Sequence, residues 1–335
     1  MTRNGDSHPY RTSRSKLFTV FAVLLMIGGS LVATSAPAGA EPGNLADIDV
    51  ADIDGRYVVA ALTTGGTIQV EVVTCLSTCT KHGWSSLGGG FKSVNVEYLA
   101  EGRPVVIARR NNGATWYKRG SCSATSCSWI SWKDLGGSVI DIATSASGGN
   151  CVLLAGKSAT KRVYQAKVCA NTVQGWGYTG GQLDNIAVSG DRIFGTTSSQ
   201  QMWWYKNGLW KGAGGNTIEP AAKFGDGELC GLSQSSRKLW CVNTSTNKWT
   251  NHGGYWRKLD DDRTIGIGGG WDAWVLDAEG NAGNNYEDNV ATSFGGKVNE
   301  VAWTDTKDFM VGIGSDYRPW YQDTLGTSHG TWATL

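Results

Sequence analysis

One short pattern returns along the chain: an aromatic, two residues, an apolar residue, then Gly-Gly. It reads "GWSSLGGG" at 83–90, "SWKDLGGS" at 131–138, "GWGYTGGQ" at 175–182, "LWKGAGGN" at 209–216, "KWTNHGGY" at 248–255 and, without its Trp, "NVATSFGGK" at 289–297. The first glycines stand at 88, 136, 180, 214, 253 and 295, so the unit is 34 to 48 residues long. A period in that range decides the architecture before any single residue is considered, because each unit is one supersecondary block stacked on its neighbours.

The register continues past the glycines. The fifth position after the second Gly is Val94, Ile142, Ile186, Pro220, Leu259 and Val301, and the sixth is often Ala. Gly43, Leu45 and Ile48 begin the same pattern, which makes seven units. Each unit runs from an apolar strand through an Asp/Gly turn ("DIDGR", "AEGRP", "SGDR") to a second strand. A third strand follows, with an aromatic at Trp116, Tyr164, Trp203, Trp240, Tyr286 and Trp320 and Gln69 in the first unit. The Trp-x-x-Leu strand then closes it. Short alternating strands between Gly, Asn and Asp turns are antiparallel sheet. Four strands per unit and seven units predict an all-β fold, a seven-bladed β-propeller of four-stranded antiparallel blades. "GTWATL" at 330–335 stops at the Leu of the motif, and Gly43 supplies the glycine that follows it. The expectation is a closed ring with its seam there, the two ends adjacent and Trp332 beside the first blade.

Residues 1–40 read as a secretory signal peptide. Arg3, Arg11, Arg14 and Lys16 precede an apolar stretch, and "APAGA" supplies small residues for cleavage after Ala40. Residues 41–335 are then a single propeller domain, released from the cell. The leader holds four of the 30 basic and one of the 29 acidic residues, so the remainder carries a net charge of about −2. A near-neutral surface without basic runs argues against nucleic acid, and no further apolar run is long enough for membrane insertion. All eight cysteines lie after the leader and fall into four close pairs: Cys75 and Cys79, Cys122 and Cys127, Cys151 and Cys169, Cys230 and Cys241. An even count in an exported chain is a disulfide set. Zinc is the rival, but no His pair follows at ligand spacing.

Sixteen tryptophans exceed what such a core requires. Ten belong to the repeat, where large rings fill the gaps between blades. A sugar offers an apolar C–H face to an indole and hydroxyls to directed polar groups, so aromatics beside Asn, Asp and Arg are the candidate ligand contacts. Arg109, Arg110, Asn111, Asn112 and Tyr117 surround one hairpin turn. Trp271, Asp272, Trp274, Asn284, Asn285 and Glu287 lie in the sixth unit. Asp316, Tyr317, Arg318 and Tyr321 lie in the seventh. A glycosidase needs two carboxylates across a cleft, whereas the acids here recur at the fourth position after Gly-Gly (Asp47, Asp141, Glu219 and Glu300), a periodic turn or rim feature. The expectation is no enzyme, no cofactor and no bound metal, although Asp47, Asp49, Asp52 and Asp54 stand close enough together to hold calcium.

Trp-x-x-Leu-Gly-Gly followed by an apolar strand, an Asp/Gly turn and an aromatic third strand resembles the tectonin-type and PLL-type propeller lectins. "NIAVSGDRIFGTTSSQQMWWYKNGLWKGAGG" is similar to the former and "SLGGGFKSVNVEYLAEGRPVVIARRNNGATWYKR" to the latter. The resemblance implies multivalent glycan binding in or between blades, with glycans or a polysaccharide surface as partner. The alternatives are a protein-binding propeller or inhibitor on the same rim and, further off, a carbohydrate-active enzyme.

Overall fold

Each repeat forms one antiparallel sheet whose four strands run outward in chain order. The computed structural model describes residues 42–52, 55–75, 78–99, 102–148, 150–222, 228–253, 256–259, 267–268, 270–271, 273–277, 281–285, 291–304, 309–323 and 332–335. Blade 1 comprises Leu45–Asp52, Arg56–Thr63, Ile68–Cys75 and Ser85–Gly88, and blade 2 comprises Phe91–Leu99, Arg103–Arg110, Thr115–Cys122 and Lys133–Gly136. In both, a short extra strand (Cys79–Lys81, Cys127–Trp129) pairs with the far end of the third strand. Blades 3, 4 and 5 begin at Asp141, Asn185 and Thr217 and are plain four-stranded sheets. The long strand Ala291–Trp303 closes blade 6 with its first half and opens blade 7 with its second, so those two sheets are continuous through it. The architecture is a seven-bladed propeller, as the repeat predicts.

The inner strands of blades 1, 2, 3, 4 and 7 are largely buried: Val50, Val94, Ala143, Val188 and Val301 are none more than 6% exposed. Burial of such stripes against the next sheet is the main stabilising term, at about 25 cal/mol per Å² of apolar surface. The inner acids turn out to be structural. Asp47 Oδ2 accepts from the Val94 amide at 2.9 Å and Asp49 Oδ2 from Val96 at 2.6 Å. Asp52 Oδ1 caps the turn at Gly55, and Asp54 lies outside the described residues. No group of three metal-ligating side chains gathers among the described residues.

The Trp-x-x-Leu-Gly-Gly motif has a geometric cause. Trp132 Nε1 donates to the Leu87 carbonyl at 2.7 Å, Trp176 to Gly136 at 3.2 Å, Trp210 to Thr179 at 2.9 Å and Trp249 to Ala213 at 2.9 Å. Each of these four closing tryptophans is thus hydrogen-bonded to the closing strand of the blade before it, whereas the buried Trp84 Nε1 has no partner among the described residues. A Cβ on the second glycine would strike that indole, at 2.7 Å for Gly137 against Trp176 and 2.5 Å for Gly215 against Trp249. Both glycines also have left-handed φ, 91° and 87°. Glycine is required there twice over.

A second repeated bond joins the blades at the face where inner strands begin. The amides of Phe91, Val139, Leu183 and Thr217 donate to the carbonyls of Gly66, Gly113, Lys161 and Gln200, each of which ends the hairpin between the second and third strands of the preceding blade. The Leu45 amide does the same to Tyr317 of blade 7 at 2.9 Å. Leu335 packs in one cluster with Leu45, Ile48 and Trp84, and Lys81 Nζ donates to the Thr334 carbonyl at 3.0 Å. The ring is closed. Trp332 itself lies over Gly312 of its own blade.

All four cysteine pairs form disulfides. Cys151 faces Cys169 and Cys230 faces Cys241 across the second and third strands, and the two shorter bridges tie the extra strands of blades 1 and 2. One aromatic assignment changes: Val275 pairs with Gly283, so in blade 6 Gly283 occupies the place held elsewhere by the third-strand ring. Tyr286 lies outside the described residues.

Candidate functional site

The third-strand ring of a blade always stands opposite a small residue of the second strand: Trp116 opposite Ala108, Tyr164 opposite Gly156, Trp203 opposite Gly195, Trp240 opposite Gly231 and Trp320 opposite Gly312. The small partner lets the ring lie close over the strand. The closing Trp stands next to it. Above both is the hairpin turn joining the second and third strands, and to one side the Gly-Gly linker enters the blade. The repeat therefore builds the same recess in several blades: two aromatic walls, a polar turn and a glycine floor.

Its contents differ from blade to blade. In blade 5 the recess is a cavity of about 510 Å³ lined by Gly215, Asn216, Thr217, Ser233, Ser235, Ser236, Trp240 and Trp249. The turn is the reason. In blades 1, 2, 3, 4 and 7 the hairpin bond spans three residues, as from the Tyr317 amide to the Gly314 carbonyl, whereas the Arg237 amide reaches back four, to Ser233. One additional residue lifts the serines over the two indoles. Trp249 Nε1 is committed to Ala213; Trp240 Nε1 has no acceptor among the described residues. Thr217 is 2% exposed and its Oγ1 has no hydrogen-bond partner within the described chain. A buried hydroxyl without a partner costs about 1–3 kcal/mol, so this one marks a position where a ligand hydroxyl would be favourable. Among the described residues no charged side chain lines the cavity. The Arg237–Glu219 ion pair, at 3.0 Å, lies beside it and neutralises itself.

The equivalent place in blade 7 is covered by the turn: Asp316 Oδ1 accepts from Trp320 Nε1 at 3.3 Å and from the Arg318 amide at 3.1 Å. In blade 2 it is covered by Arg110, whose guanidinium lies 4.4 Å from the Trp116 ring and 5.5 Å from that of Phe91.

The sequence-predicted residues are distributed as follows. Asn111 and Asn112 are exposed at the tip of the blade 2 turn, where Asn112 Oδ1 accepts from the Ala114 amide. Arg109 points to the opposite face from Arg110; burial lowers its pKa, and the charges of Asp141 and Asp47 oppose that shift. Tyr117 is 8% exposed and packed in the core between blades 2 and 3, away from Asn111 and Asn112. In blade 6 the backbone register pairs Trp274 with Asn284 and Ala273 with Asn285, and Trp271 pairs with Ile267 in a separate two-stranded ribbon. Asp272 and Glu287 lie outside the described residues. In blade 7 Tyr317 is 52% exposed with φ of 60°, and Tyr321 is half-buried against Phe309. Sequence reasoning assigned Trp240 and Trp249 to packing alone. The signal for the recess was the longer turn "SQSSRK", one residue more than "RNNGA" or "GSDYR".

No protein-family model and no curated protein sequence matches the chain. Among solved structures it is similar to the WD40 β-propeller domain of Doa1 (TM-score 0.54, 13% identity, 86% of this chain and 95% of that one). It is also similar to a triple arginine-to-alanine mutant of AofleA from Arthrobotrys oligospora (0.53, 8%, 88% and 87%). The SapL1 lectin in complex with α-methyl fucoside matches at 0.48 with 10% identity over 76% of this chain and 96% of that one. At these identities the likeness is one of fold.

Proposed function

We propose that this chain is an exported, non-catalytic carbohydrate-binding propeller and that the blade 5 recess is a saccharide site. The observation that carries this reading is the pairing, in one cavity, of two indole walls with a ring of hydroxyl and amide groups and no charge. A pyranose stacks its C–H face on an aromatic ring and exchanges its hydration for directed hydrogen bonds. Ser233, Ser235, Ser236 and Asn216 supply donors and acceptors, and Thr217 Oγ1 is already desolvated. The ligand class is a neutral sugar. Among the described residues the lining holds no acid to serve as a general acid or base. Four disulfides favour an oxidising compartment, and residues 1–40 serve as the leader. No helix among the described residues is long and apolar enough to cross a membrane.

The test is a neutral glycan array followed by calorimetry on the best hit. Binding that free monosaccharide displaces and that Trp240→Ala abolishes supports the reading. An intact protein with no signal above background sinks it. Retention of a polypeptide that monosaccharide fails to displace favours the protein-binding alternative.

A further inference from the structure

Blade 2 carries two cations with no carboxylate to neutralise them among the described residues. Arg110, on the second strand, stacks on Trp116 and Phe91; Lys118, on the third, has its Nζ 5.6 Å from the Trp132 ring. Phe91 and Trp132 are themselves in contact, with centroids 4.7 Å apart. Arg110, Phe91, Trp132 and Lys118 thus form one continuous stack where blade 2 meets blade 1, with Phe91 and Trp132 in the same cluster as Leu87 and Val70 of blade 1. Neither cation has a carboxylate within ion-pair distance or a side-chain hydrogen bond among the described residues. Burial alone lowers the pKa of Lys118, and no neighbouring acid raises it.

Stacking on an indole fixes the plane of the Arg110 guanidinium, whose Nε is buried without a hydrogen-bond partner among the described residues, and a guanidinium held in one plane suits a planar, two-oxygen anion. We propose that this stack is a second saccharide site, selective for an anionic sugar, with Arg110 and Lys118 as its cationic contacts for a carboxylate or sulfate ester. Asn111 and Asn112 are exposed in the adjoining turn, where Asn111 and the Asn112 amide nitrogen are available to meet hydroxyls. The inference rests on the carbohydrate reading for the nature of the ligand, but its site and chemistry differ from those of the uncharged blade 5 recess. One fold then offers two chemically distinct sites from the same repeat position, according to whether the turn brings Arg or Ser over the rings.

The test is calorimetry of the intact protein with an oligogalacturonate, with its carboxyl-reduced neutral form and with a sulfated dextran oligosaccharide, using Arg110→Gln, Lys118→Met and Trp240→Ala. Affinity for at least one anionic probe should exceed that for the neutral form, weaken with added salt, and fall about tenfold in each of the first two variants. The two anionic probes distinguish carboxylate from sulfate. Lys118 is half-exposed, so Lys118→Met reports on binding even where Arg110→Gln perturbs the stack. Anionic binding that survives Trp240→Ala and falls in Lys118→Met supports this second site whether or not the neutral sugar binds. Equal binding of the acidic and carboxyl-reduced oligomers, unchanged affinity in Lys118→Met, or equal competition by polyglutamate would overturn it.

Discussion

The Leu45 amide donates to the Tyr317 carbonyl across 2.9 Å, and this bond joins blade 7 to blade 1 in the way Thr217 and Gln200 join blade 5 to blade 4. The junction is therefore built like the others, with a hydrophobic cluster beneath it. Leu335 contributes to that cluster and is 2% exposed. Leu335→Asp should destabilise the fold by about 3 kcal/mol, since it removes apolar burial and introduces a desolvated charge. Leu209→Asp, at a position 65% exposed, serves as the control and should change stability by less than about 0.5 kcal/mol. Chemical denaturation of the two variants checks both values.

Tyr317 accepts that bond with its main chain while holding φ at 60°. A side chain in the left-handed region costs roughly 1 kcal/mol, which glycine avoids. Tyr317→Gly should leave the melting temperature unchanged or raise it slightly, because the carbonyl that closes the ring is retained. A clear loss of stability would show that the exposed ring, and not the carbonyl, secures the junction.

The same turn shows where sequence reading reaches its limit. Blades 1 and 2 place Gly66 and Gly113 at the left-handed position, but blades 3, 4, 5 and 7 place Lys161, Gln200, Arg237 and Tyr317 there. A turn whose geometry is imposed by the next blade does not need its preferred residue, so that part of the pattern carries no local signal. Blade number was legible because its motif returns every 34 to 48 residues, and strand order and cysteine pairing because each is a local pairing, the disulfides spanning at most 18 residues. The blade 5 recess was harder to see. It depends on one added residue above two tryptophans whose packing role is equally real. Tyr117 and Tyr321 looked like binding aromatics beside polar turns, yet strand alternation turns both away from Trp116 and Trp320 and into the inter-blade core.

Gly215 has φ of 87°, and a Cβ there would lie 2.5 Å from Trp249. Gly215→Val should cost about 3 kcal/mol, from backbone strain plus displacement of an indole that bridges blades 4 and 5. Gly148, with open space around its Cβ position, should tolerate Ala with a change of less than about 1 kcal/mol. Thermal melts of the two variants would separate steric from purely conformational cost.

Glu71 is 1% exposed, and its Oε1 accepts from the amides of His82 and Gly83 at 2.7 and 2.6 Å. Burial nonetheless pushes its pKa above the ordinary glutamate value, outweighing those hydrogen bonds and the nearby charge of Lys81. The folded chain thus binds this proton more tightly than the unfolded chain. The resulting stability is fully present below the ordinary glutamate pKa and is lost as pH rises through the folded one. Relative to Glu71→Gln, the wild type should gain stability on acidification across that window. Paired denaturation curves at neutral pH and near pH 4 check the sign, and a relative loss on acidification would contradict it.

The two walls of the blade 5 recess should separate on mutation. Trp249 donates to Ala213 and covers Gly215, so it is part of the joint between blades as well as of the cavity. Trp249→Ala should lose about 3–5 kcal/mol of stability together with sugar binding. Trp240 stands opposite Gly231 with its Nε1 free of any acceptor among the described residues. Its removal opens a cavity that already faces solvent, so little packing is lost on the far side. Trp240→Ala should keep a melting temperature close to that of Trp240→Phe while reducing neutral-sugar affinity at least about tenfold, the loss of one stacked ring and one donor. Trp240→Phe retains the stack without the donor and should recover part of that affinity. If Trp240→Ala instead unfolds the blade as Trp249→Ala does, both rings belong to the joint and the recess has no wall free for a ligand.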